Sequence, residues 1–393
     1  MNITIITSEK LQEFPPAISL LQVLEKLGHM VTFISPYRDT FFEEMELQHG
    51  THFYIRAALP EFMTKYHRSR LKGSLAFRSE RLIRKMCLRR IPQRFTKQIQ
   101  SADVVWILNE NTTFLGGKGF VDRLGTYMQT MYELHIKNGK SFKMYDYAAD
   151  RAALMVVPEY CRAHITKAFY GLTEMPAIIP NKPLEHPRER NLPVSDPVIA
   201  EKIAKLKADG KKIIMYMGIL SDERPLEPII EAANQTEDYV LAVLGARTPY
   251  LDRLEQTMGG RFEYLGVVKP PHHLEVASHA DVAYISYVAN NHSINAVFCA
   301  PNKVYEFAGF GIPMLCNDNP GLKFTVEYYG MGVCAADLEP QTIKSCLDHI
   351  RQREADMQAA AERYYDEESM EKTVEQTLLR YMELKEGRAS CSH

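Results

Sequence analysis

Short apolar segments that alternate with amphipathic helices constrain this 393-residue chain most strongly. The chain opens on "NITII", continues with "PPAISLLQVLEKLG" and returns to "HMVTFIS". The first and third segments are apolar and contain β-branched residues, which is typical of strands buried on both faces of a parallel sheet. The middle segment has helical periodicity, with Pro16 near its start and Gly28 at its end. This β-α-β order predicts an α/β fold.

The same order recurs in the second half of the chain. Its strand-like segments are "KKIIMYMG", "YVLAVLG", "FEYLG", "DVAYISY" and "IPMLCND", while "ADVVWIL" and "KMYDY" are further strands predicted in the first half. Between the halves, "IIPNKPLEHPRERNLPVSDP" contains five prolines and mixed charges, which is typical of a linker. We therefore predict two doubly wound domains, residues 1–185 and 197–367, facing a cleft beyond the carboxyl ends of their strands. A last helix at about 368–386 could pack back on the first domain.

Composition places the chain among soluble proteins of a reducing compartment. The net charge of -2 gives no global signal for nucleic acid, and the seven cysteines form an odd set without a Cys-x-x-Cys motif. This count argues against a disulfide framework and a structural zinc site. The start "MNITIITSEK" predicts a strand and not a signal peptide, and no segment approaches the roughly 18 consecutive apolar residues of a membrane span. We expect a cytoplasmic protein, and contact with the inner face of a membrane stays open.

The segment "APNKVYEF" predicts an anion site beside a hydroxyl site. Pro301 suits the first turn of a helix, where free N–H groups and the helix dipole favour an anion. Lys303 adds a positive charge, and Glu306 lies one turn further on the same face. A carboxylate is a suitable acceptor for a ribose diol, so a nucleoside diphosphate would fit this spacing. The alternative is a surface Lys–Glu pair on an ordinary helix.

A second candidate is the loop after the strand "KKIIMYMG". This strand ends at Gly218, and Arg224 precedes the next helix in "YMGILSDERPLEPIIEAA". The planar guanidinium suits phosphate oxygens at the carboxyl end of a strand. A solvated arginine that pairs with Asp222 or Glu223 is an equal alternative.

Residues from about 178 to 338 resemble the nucleotide-sugar-binding domain of GT-B glycosyltransferases, especially those of family 4. The similar phrases come in the family's order, from "IIPNKP" through "YVLAVLGA" and "FEYLGVV" to "APNKVYEFAGFGIPMLCND". The resemblance implies two Rossmann-like domains and a retaining hexosyltransferase that uses a nucleotide sugar, with a UDP-sugar favoured and no metal cofactor required. The implied acceptor is a glycan or a polyprenyl-diphosphate-linked lipid, in surface polysaccharide or related glycan assembly.

The same resemblance assigns roles by position. Glu306 would bind the ribose of the nucleotide, Arg224 would take the place of the family's diphosphate lysine, and Gly245 and Val267 would lie near the base. Asn302 and Lys303, with nearby backbone N–H groups, would complete the phosphate site. With Ser293 and Asn295 as weak candidates for the sugar, the full set for the sugar donor is Gly218, Arg224, Gly245, Val267, Ser293, Asn295, Asn302, Lys303 and Glu306.

Two positions depart from the family pattern. Ile219 replaces its first basic residue, and Phe298 replaces the first glutamate of its paired motif. The contact to the sugar hydroxyls is therefore unassigned. Ser293 and Asn295 are weak replacements, and a plain loop is the alternative for that segment.

The catalytic base depends on the stereochemistry. In a retaining enzyme the leaving phosphate oxygen could accept the proton of the acceptor, whereas an inverting enzyme requires a base from the first domain. Asp150, which ends "YDYAAD", is the first candidate, and Glu110 in "NENTTFLGG" is the second. The alternatives are a helix N-cap for Asp150 and a solvated loop for Glu110. No Asp-x-Asp metal clamp occurs, and His272, His273 and His279 are expected on a surface helix without a metal.

A basic stretch sets the first half apart. From Lys65 to Lys97 it contains twelve Lys or Arg residues and one acid, Glu80, with interleaved apolar residues. Such a segment can lie on an anionic membrane. A solvated helix pair is an equal alternative, and nucleic-acid binding is less favoured because aromatic residues are sparse.

Two rival functions share the predicted fold. A nucleotide-sugar 2-epimerase has the same fold and size, but the sequence lacks the clustered His-Arg-Arg-Glu-Asn segment of such enzymes. A non-catalytic nucleotide-sugar-binding protein is consistent with Phe298 at the glutamate position.

Overall fold

The structure is a computed structural model that describes residues 1–57, 75–135, 141–236, 238–288 and 293–390. The chain divides into two units by its internal contacts. One unit comprises Met1–Leu184 together with the segment from Ser369 onward, and the other comprises Glu185–Glu368.

Within the described residues, the first unit forms one seven-stranded sheet of parallel strands in the order β3-β2-β1-β4-β5-β6-β7. Its strands are β1 (Asn2–Thr7), β2 (Met30–Tyr37), β3 (Gly50–Arg56), β4 (Val104–Leu108), β5 (Met128–Thr130), β6 (Leu154–Val157) and β7 (Ala177–Ile178). Its helices are Pro15–Lys26, Thr40–Glu44, Leu75–Arg94, Thr96–Gln100, Glu110–Gly116, Lys118–Val121, Phe142–Arg151, Tyr160–Tyr170 and Met370–Ser390, with a short turn of helix at Leu11–Glu13.

The last helix belongs to the first unit. Val374, Leu378 and Tyr381 are buried in the same core cluster as Ile3 and Trp106. The hydroxyl of Tyr381 donates to the Thr126 carbonyl at 2.9 Å. Apolar burial at i, i+4 and i+7 therefore holds this helix on the face of the first sheet.

One predicted strand of the first unit is wrong. The segment "KMYDY" lies within the helix Phe142–Arg151. Phe142, Tyr145 and Ala148 are buried at a spacing of three, whereas Lys143 and Asp146 between them are exposed. This period is that of a helix, since a strand would bury every second residue.

The second unit repeats the architecture. In the described residues it forms a six-stranded parallel sheet in the order β10-β9-β8-β11-β12-β13. Its strands are β8 (Lys212–Met217), β9 (Tyr239–Leu244), β10 (Phe262–Gly266), β11 (Val282–Ile285), β12 (Met314–Asn317) and β13 (Gly332–Ala335). Its helices are Pro197–Ala208, Glu227–Asn234, Pro249–Met258, His273–Ala277, Ile294–Val297, Asn302–Ala308, Pro320–Leu322, Pro340–Gln352 and Glu354–Glu367, with a π-helical turn at Lys323–Glu327.

The strand order of each sheet places a crevice where the connections reverse direction. In the second unit β8 lies between β9 and β11, so the chain leaves it toward one edge and later returns to its other side. Ligands of open α/β sheets bind at the carboxyl ends of such strands. The prediction of two doubly wound α/β sheets is confirmed. Among the described residues, no helix combines the length and the apolar character needed to cross a bilayer.

Candidate functional site

A cavity of about 510 Å³ opens at the carboxyl ends of β8, β9 and β10 in the second unit. Its wall is formed by the residues that follow these strands and by the start of the helix Asn302–Ala308, hereafter the Asn302 helix. Seven of the nine residues assigned to the sugar donor line it, namely Gly218, Arg224, Gly245, Val267, Asn302, Lys303 and Glu306. The fold thus brings seven of the nine predicted donor-site residues to one place.

Two glycines allow the walls to approach closely. Gly218 has φ +138, and a β-carbon there would overlap the amine of Lys303. A β-carbon on Gly245 would overlap the carbonyl oxygen of Gly218. Gly218 therefore favours glycine for its backbone conformation, and a side chain there would also displace the lysine amine. Gly245 requires glycine for space, because the overlapping atom is main chain.

Lys303 is a cation in an apolar and aromatic setting. Its amine lies 5.2 Å from the ring centre of Tyr216 and 5.8 Å from that of Tyr287. Burial and the positive charge of Arg224 together lower the pKa of Lys303 to about 8, and the charge of Glu306 acts in the opposite direction. No salt bridge among the described residues involves Lys303. A desolvated cation of this kind is favourable for a bound anion.

Arg224 shares this positive end of the cavity. Its guanidinium carbon lies 4.9 Å from the ring centre of Tyr287, and its Nη1 donates to the Ile219 carbonyl at 3.4 Å. Its Nε is buried without a hydrogen-bond partner in the described part of the chain. Asp222, one partner considered for this arginine, is paired with Arg253. Arg224 is therefore placed beside Lys303 with an N–H group still to be satisfied.

Glu306 forms the negative end of the same cavity. Its side chain is 16% exposed, and its Oε1 lies 3.3 Å from Nε2 of His273. Its backbone carbonyl lies 2.9 Å from Nε2 of His186. Burial lowers the pKa of His186 to about 4, so this ring is neutral at physiological pH. The amide of Arg188 donates to Nδ1 of His186 at 3.1 Å. The proton of the neutral ring is therefore on Nε2, which donates it to the backbone carbonyl of Glu306.

Part of the cavity wall is aliphatic. Ile219 and Val267 both line the cavity, and they are 64% and 63% exposed. The Tyr264 hydroxyl donates to the Gly245 carbonyl at 2.9 Å and so fixes the loop between them. Large apolar side chains that stay exposed inside a concave site are typical contacts for a planar ligand group such as a base.

The Asn302 helix is short. Pro301 is the N-cap residue in an extended conformation, and the helix ends at Ala308 after seven residues. Its dipole is consequently small, and Lys303 and Arg224 supply most of the positive charge.

Two predicted sugar-binding residues lie outside the cavity lining. Ser293 is the N-cap of the helix Ile294–Val297, and Asn295 lies within that helix. Residues 289–292 before them are outside the described chain. Phe298 ends the same short helix, so no carboxylate stands at this position.

Neither predicted base occupies the position assumed for it. Asp150 lies in the last turn of the helix Phe142–Arg151, and its exposed carboxylate is 3.1 Å from Nη1 of Arg151. The strand end that suggested Asp150 does not exist.

Glu110 does not lie in a solvated loop. It starts the helix Glu110–Gly116 and is 2% exposed. Its carboxylate accepts the amides of Tyr132 at 2.9 Å and Glu133 at 3.2 Å. A carboxylate that accepts two backbone amides organises the chain at this point, and a role for Glu110 as a base stays a prediction.

Sequence reasoning missed the side chains that surround the charged groups. His273 was expected on a surface helix without a role in the site, but it lines the cavity and its side chain is 16% exposed. Tyr287 was also missed, although it follows β11 and so stands at a carboxyl strand end, where ligand contacts are expected.

The comparison with solved structures identifies the fold. HepE from Anabaena in complex with UDP aligns with a TM-score of 0.66 at 13% identity, over 96% of this chain and 99% of that chain. Sucrose-phosphate synthase from Thermosynechococcus elongatus aligns at 0.62 and 14% identity, over 100% and 98% of the two chains. The chain has the GT-B fold. A putative UDP-N-acetylglucosamine 2-epimerase from Listeria monocytogenes aligns at 0.52 and 13% identity, over 91% and 90%. No protein-family model and no curated protein matches the sequence.

Proposed function

We propose that this protein is a glycosyltransferase of the hexosyltransferase type that resembles family 4. It moves a sugar from a nucleotide-diphosphate sugar to a glycan or lipid-linked acceptor. One observation carries the proposal: Lys303 and Glu306 reach the same cavity from positions one turn apart, with Arg224 beside the lysine. A cavity with a positive end, a carboxylate and an aliphatic wall matches the three parts of a nucleoside diphosphate.

The sugar donor binds with each part against its complementary wall. The diphosphate lies against Lys303 and Arg224, where the arginine fork and the lysine charge satisfy phosphate oxygens. The ribose hydroxyls donate to the Glu306 carboxylate, and the base rests on Ile219 and Val267. UDP is the favoured nucleotide, in keeping with the UDP complex of HepE, which has the same fold.

The reaction requires stabilisation of the leaving diphosphate. As the bond between the anomeric carbon and the phosphate oxygen breaks, negative charge develops on that oxygen beside Lys303 and Arg224. The acceptor oxygen bonds to the anomeric carbon, and its proton passes to the leaving phosphate oxygen on the same face, so configuration is retained. This route needs no carboxylate base, which suits the contacts found at Asp150 and Glu110. Metal independence is part of the proposal and is tested by chelation.

The helix Leu75–Arg94, hereafter the basic helix, supports a lipid-linked acceptor at an anionic membrane. Among the described residues, its cations Arg78, Arg81, Arg89, Arg90 and Arg94 are exposed. Leu82 and Met86, at i and i+4, are 58% and 46% exposed among them. Its acid, Glu80, is buried and pairs with Arg84 at 2.7 Å. A cationic face with two protruding apolar side chains suits a peripheral position on the inner leaflet, in surface polysaccharide assembly. Residues 65–74 of the basic stretch lie outside the described chain.

Incubation with radiolabelled UDP-sugars tests the activity. We expect release of UDP with transfer to an added polyprenyl-phosphate-linked or glycan acceptor, and slow transfer to water without one. Lys303→Met should abolish both reactions because it removes charge from the leaving group's site. Binding of UDP-sugar without any transfer would instead support the non-catalytic binding protein.

The second candidate is a nucleotide-sugar 2-epimerase, favoured by the likeness to the Listeria fold. Such an enzyme would use the same cavity to hold its nucleotide sugar. NMR of the sugar after incubation separates the two, because inversion at C2 without loss of the nucleotide identifies an epimerase.

A further inference from the structure

His273 and Glu306 form a contact between two short helices at the cavity. His273 begins the helix His273–Ala277, and Glu306 lies in the second turn of the Asn302 helix. The distance from Nε2 of His273 to Oε1 of Glu306 is 3.3 Å, and both side chains are 16% exposed. The contact is therefore made largely out of water, where a charge–dipole or charge–charge interaction is stronger than on the surface.

The contact matters because Glu306 has a competing partner on its own helix. Lys303 and Glu306 are separated by three positions, so they share one face and carry opposite charges. The field of Glu306 already acts to raise the pKa of Lys303. Among the ion pairs of the described chain, however, Glu306 is paired with His273 and Lys303 is absent. A carboxylate that swung onto the lysine would neutralise both groups and leave neither for a ligand.

The proton of His273 is best placed on the nitrogen that faces Glu306. Its Nδ1 is buried without a hydrogen-bond partner among the described residues. A buried N–H without a partner is costly, so the tautomer with its proton on Nε2 is favoured. That tautomer directs an N–H at the carboxylate.

The main chain of Glu306 is fixed from another side. The neutral ring of His186 donates from Nε2 to the Glu306 carbonyl at 2.9 Å. The ring of His186 packs edge-on against Phe310, with ring centres 4.2 Å apart. The backbone of Glu306 is thus held by His186, and the remaining freedom is rotation of its side chain, which His273 restricts.

We propose that His273 is a positioning residue that holds Oε1 of Glu306, keeps the carboxylate away from Lys303 and leaves Oε2 for the ribose 2′-hydroxyl. His273 thereby sets the preference of the cavity for ribonucleotides over 2′-deoxyribonucleotides. The inference rests on the proposed sugar-donor site and deepens it, because it names a residue that the resemblance did not assign.

Titration calorimetry with UDP and 2′-deoxy-UDP tests this role. We expect the wild type to bind UDP about tenfold more tightly than 2′-deoxy-UDP, as a lost hydrogen bond to a charged group implies. His273→Ala should reduce this ratio to roughly twofold or less, because the carboxylate then turns toward Lys303. His273→Gln should retain most of the ratio, since its amide nitrogen can occupy the position of Nε2. His273→Asn, whose amide is too short to reach, should lose it.

The His273→Gln and His273→Asn variants test the positioning role even if His273→Ala folds poorly. His272→Ala is the matched control, because His272 is the adjacent histidine but is 59% exposed and contacts Glu275 at 2.7 Å. This control should keep the wild-type ratio. An unchanged ratio in both His273→Ala and His273→Asn, or an equal loss in the glutamine and asparagine variants, would overturn the positioning role. Failure of the wild type to bind UDP at all would overturn the donor site itself, and with it this inference.

Discussion

Lys303 should make nucleotide binding weaken as the pH rises. Burial and the charge of Arg224 lower the pKa of its amine to about 8 from the usual 10.5. The empty protein therefore loses this proton as the pH rises through about 8. A bound diphosphate places negative charge beside the amine and restores a higher pKa, so binding takes up a proton at alkaline pH. The same shift makes the free energy of unfolding of the empty protein rise between pH 8 and 10.5, because the unfolded chain then binds the additional proton.

The size of the effect follows from the two pKa values. If the bound amine regains the usual pKa of 10.5 from about 8, the affinity falls about 25-fold between pH 7 and pH 9.5. The phosphates of UDP are already fully ionised across this range, since their last pKa is about 6. The uracil N3–H of UDP also begins to ionise near the top of this range. The part of the slope that belongs to Lys303 is therefore the difference between the wild type and a Lys303→Arg variant, which binds the same base.

Titration calorimetry with UDP from pH 7 to pH 9.5 measures the slope, and buffers of different ionisation enthalpy count the proton that is taken up. Lys303→Arg is the matched control, because a guanidinium stays charged throughout this range and should remove the part of the slope that belongs to Lys303. Lys303→Met should bind weakly at every pH. A wild type and an arginine variant that lose affinity equally with pH would refute the assignment of the slope to Lys303.

Four further outcomes are expected. Glu306→Ala should weaken UDP binding about tenfold in calorimetry because the ribose loses its acceptor, and wild-type affinity in this variant would remove Glu306 from the ribose site. Gly309→Ala should lower the free energy of unfolding by about 1–3 kcal/mol, because the added methyl overlaps the ring of His186; an unchanged thermal midpoint would contradict this packing. Leu82→Asp combined with Met86→Asp should abolish co-sedimentation with phosphatidylglycerol vesicles while UDP binding persists, and undiminished sedimentation would contradict docking through the basic helix. EDTA should leave sugar transfer unchanged, whereas loss of transfer that Mn²⁺ restores would show that a metal is required.

The α/β architecture was predictable because parallel strands buried on both faces leave a strong signal. β1, β8 and β11 are short apolar runs, and each was predicted from its own letters. The segment "KMYDY" failed for a local reason. Five letters rich in tyrosine are too few to distinguish a strand from a helix, and only the wider spacing of Phe142, Tyr145 and Ala148 indicates a helix.

The charged residues of the site were predictable because each is placed by residues close to it in the sequence. Lys303 and Glu306 lie one helical turn apart, and Arg224 follows a strand that ends in glycine. The contacts around them were not predictable, because they join segments that are distant in sequence. His273 and Tyr287 reach the cavity from a different helix and a different strand end, and single-sequence spacing carries no information about such pairs.

The candidate bases show the limit of position-based reasoning in the first unit. A solvated loop was the alternative to a base at Glu110, since the segment is rich in asparagine, but its carboxylate accepts the amides of Tyr132 and Glu133. Those amides follow β5, and their approach depends on the sheet order. The polar residues around Glu110 in the sequence therefore did not indicate that its side chain is exposed.

Thermal unfolding with a panel of nucleoside diphosphates tests the central claim most directly. UDP at a hundred times its Kd should stabilise the wild type by about 2.7 kcal/mol, and the stabilisation should fall in Lys303→Met and in Glu306→Ala. The His272→Ala variant should match the wild type, because its side chain lies outside the cavity lining. If UDP, GDP and ADP all leave the wild-type midpoint unchanged, the cavity at the carboxyl ends of β8, β9 and β10 is not a sugar-donor site.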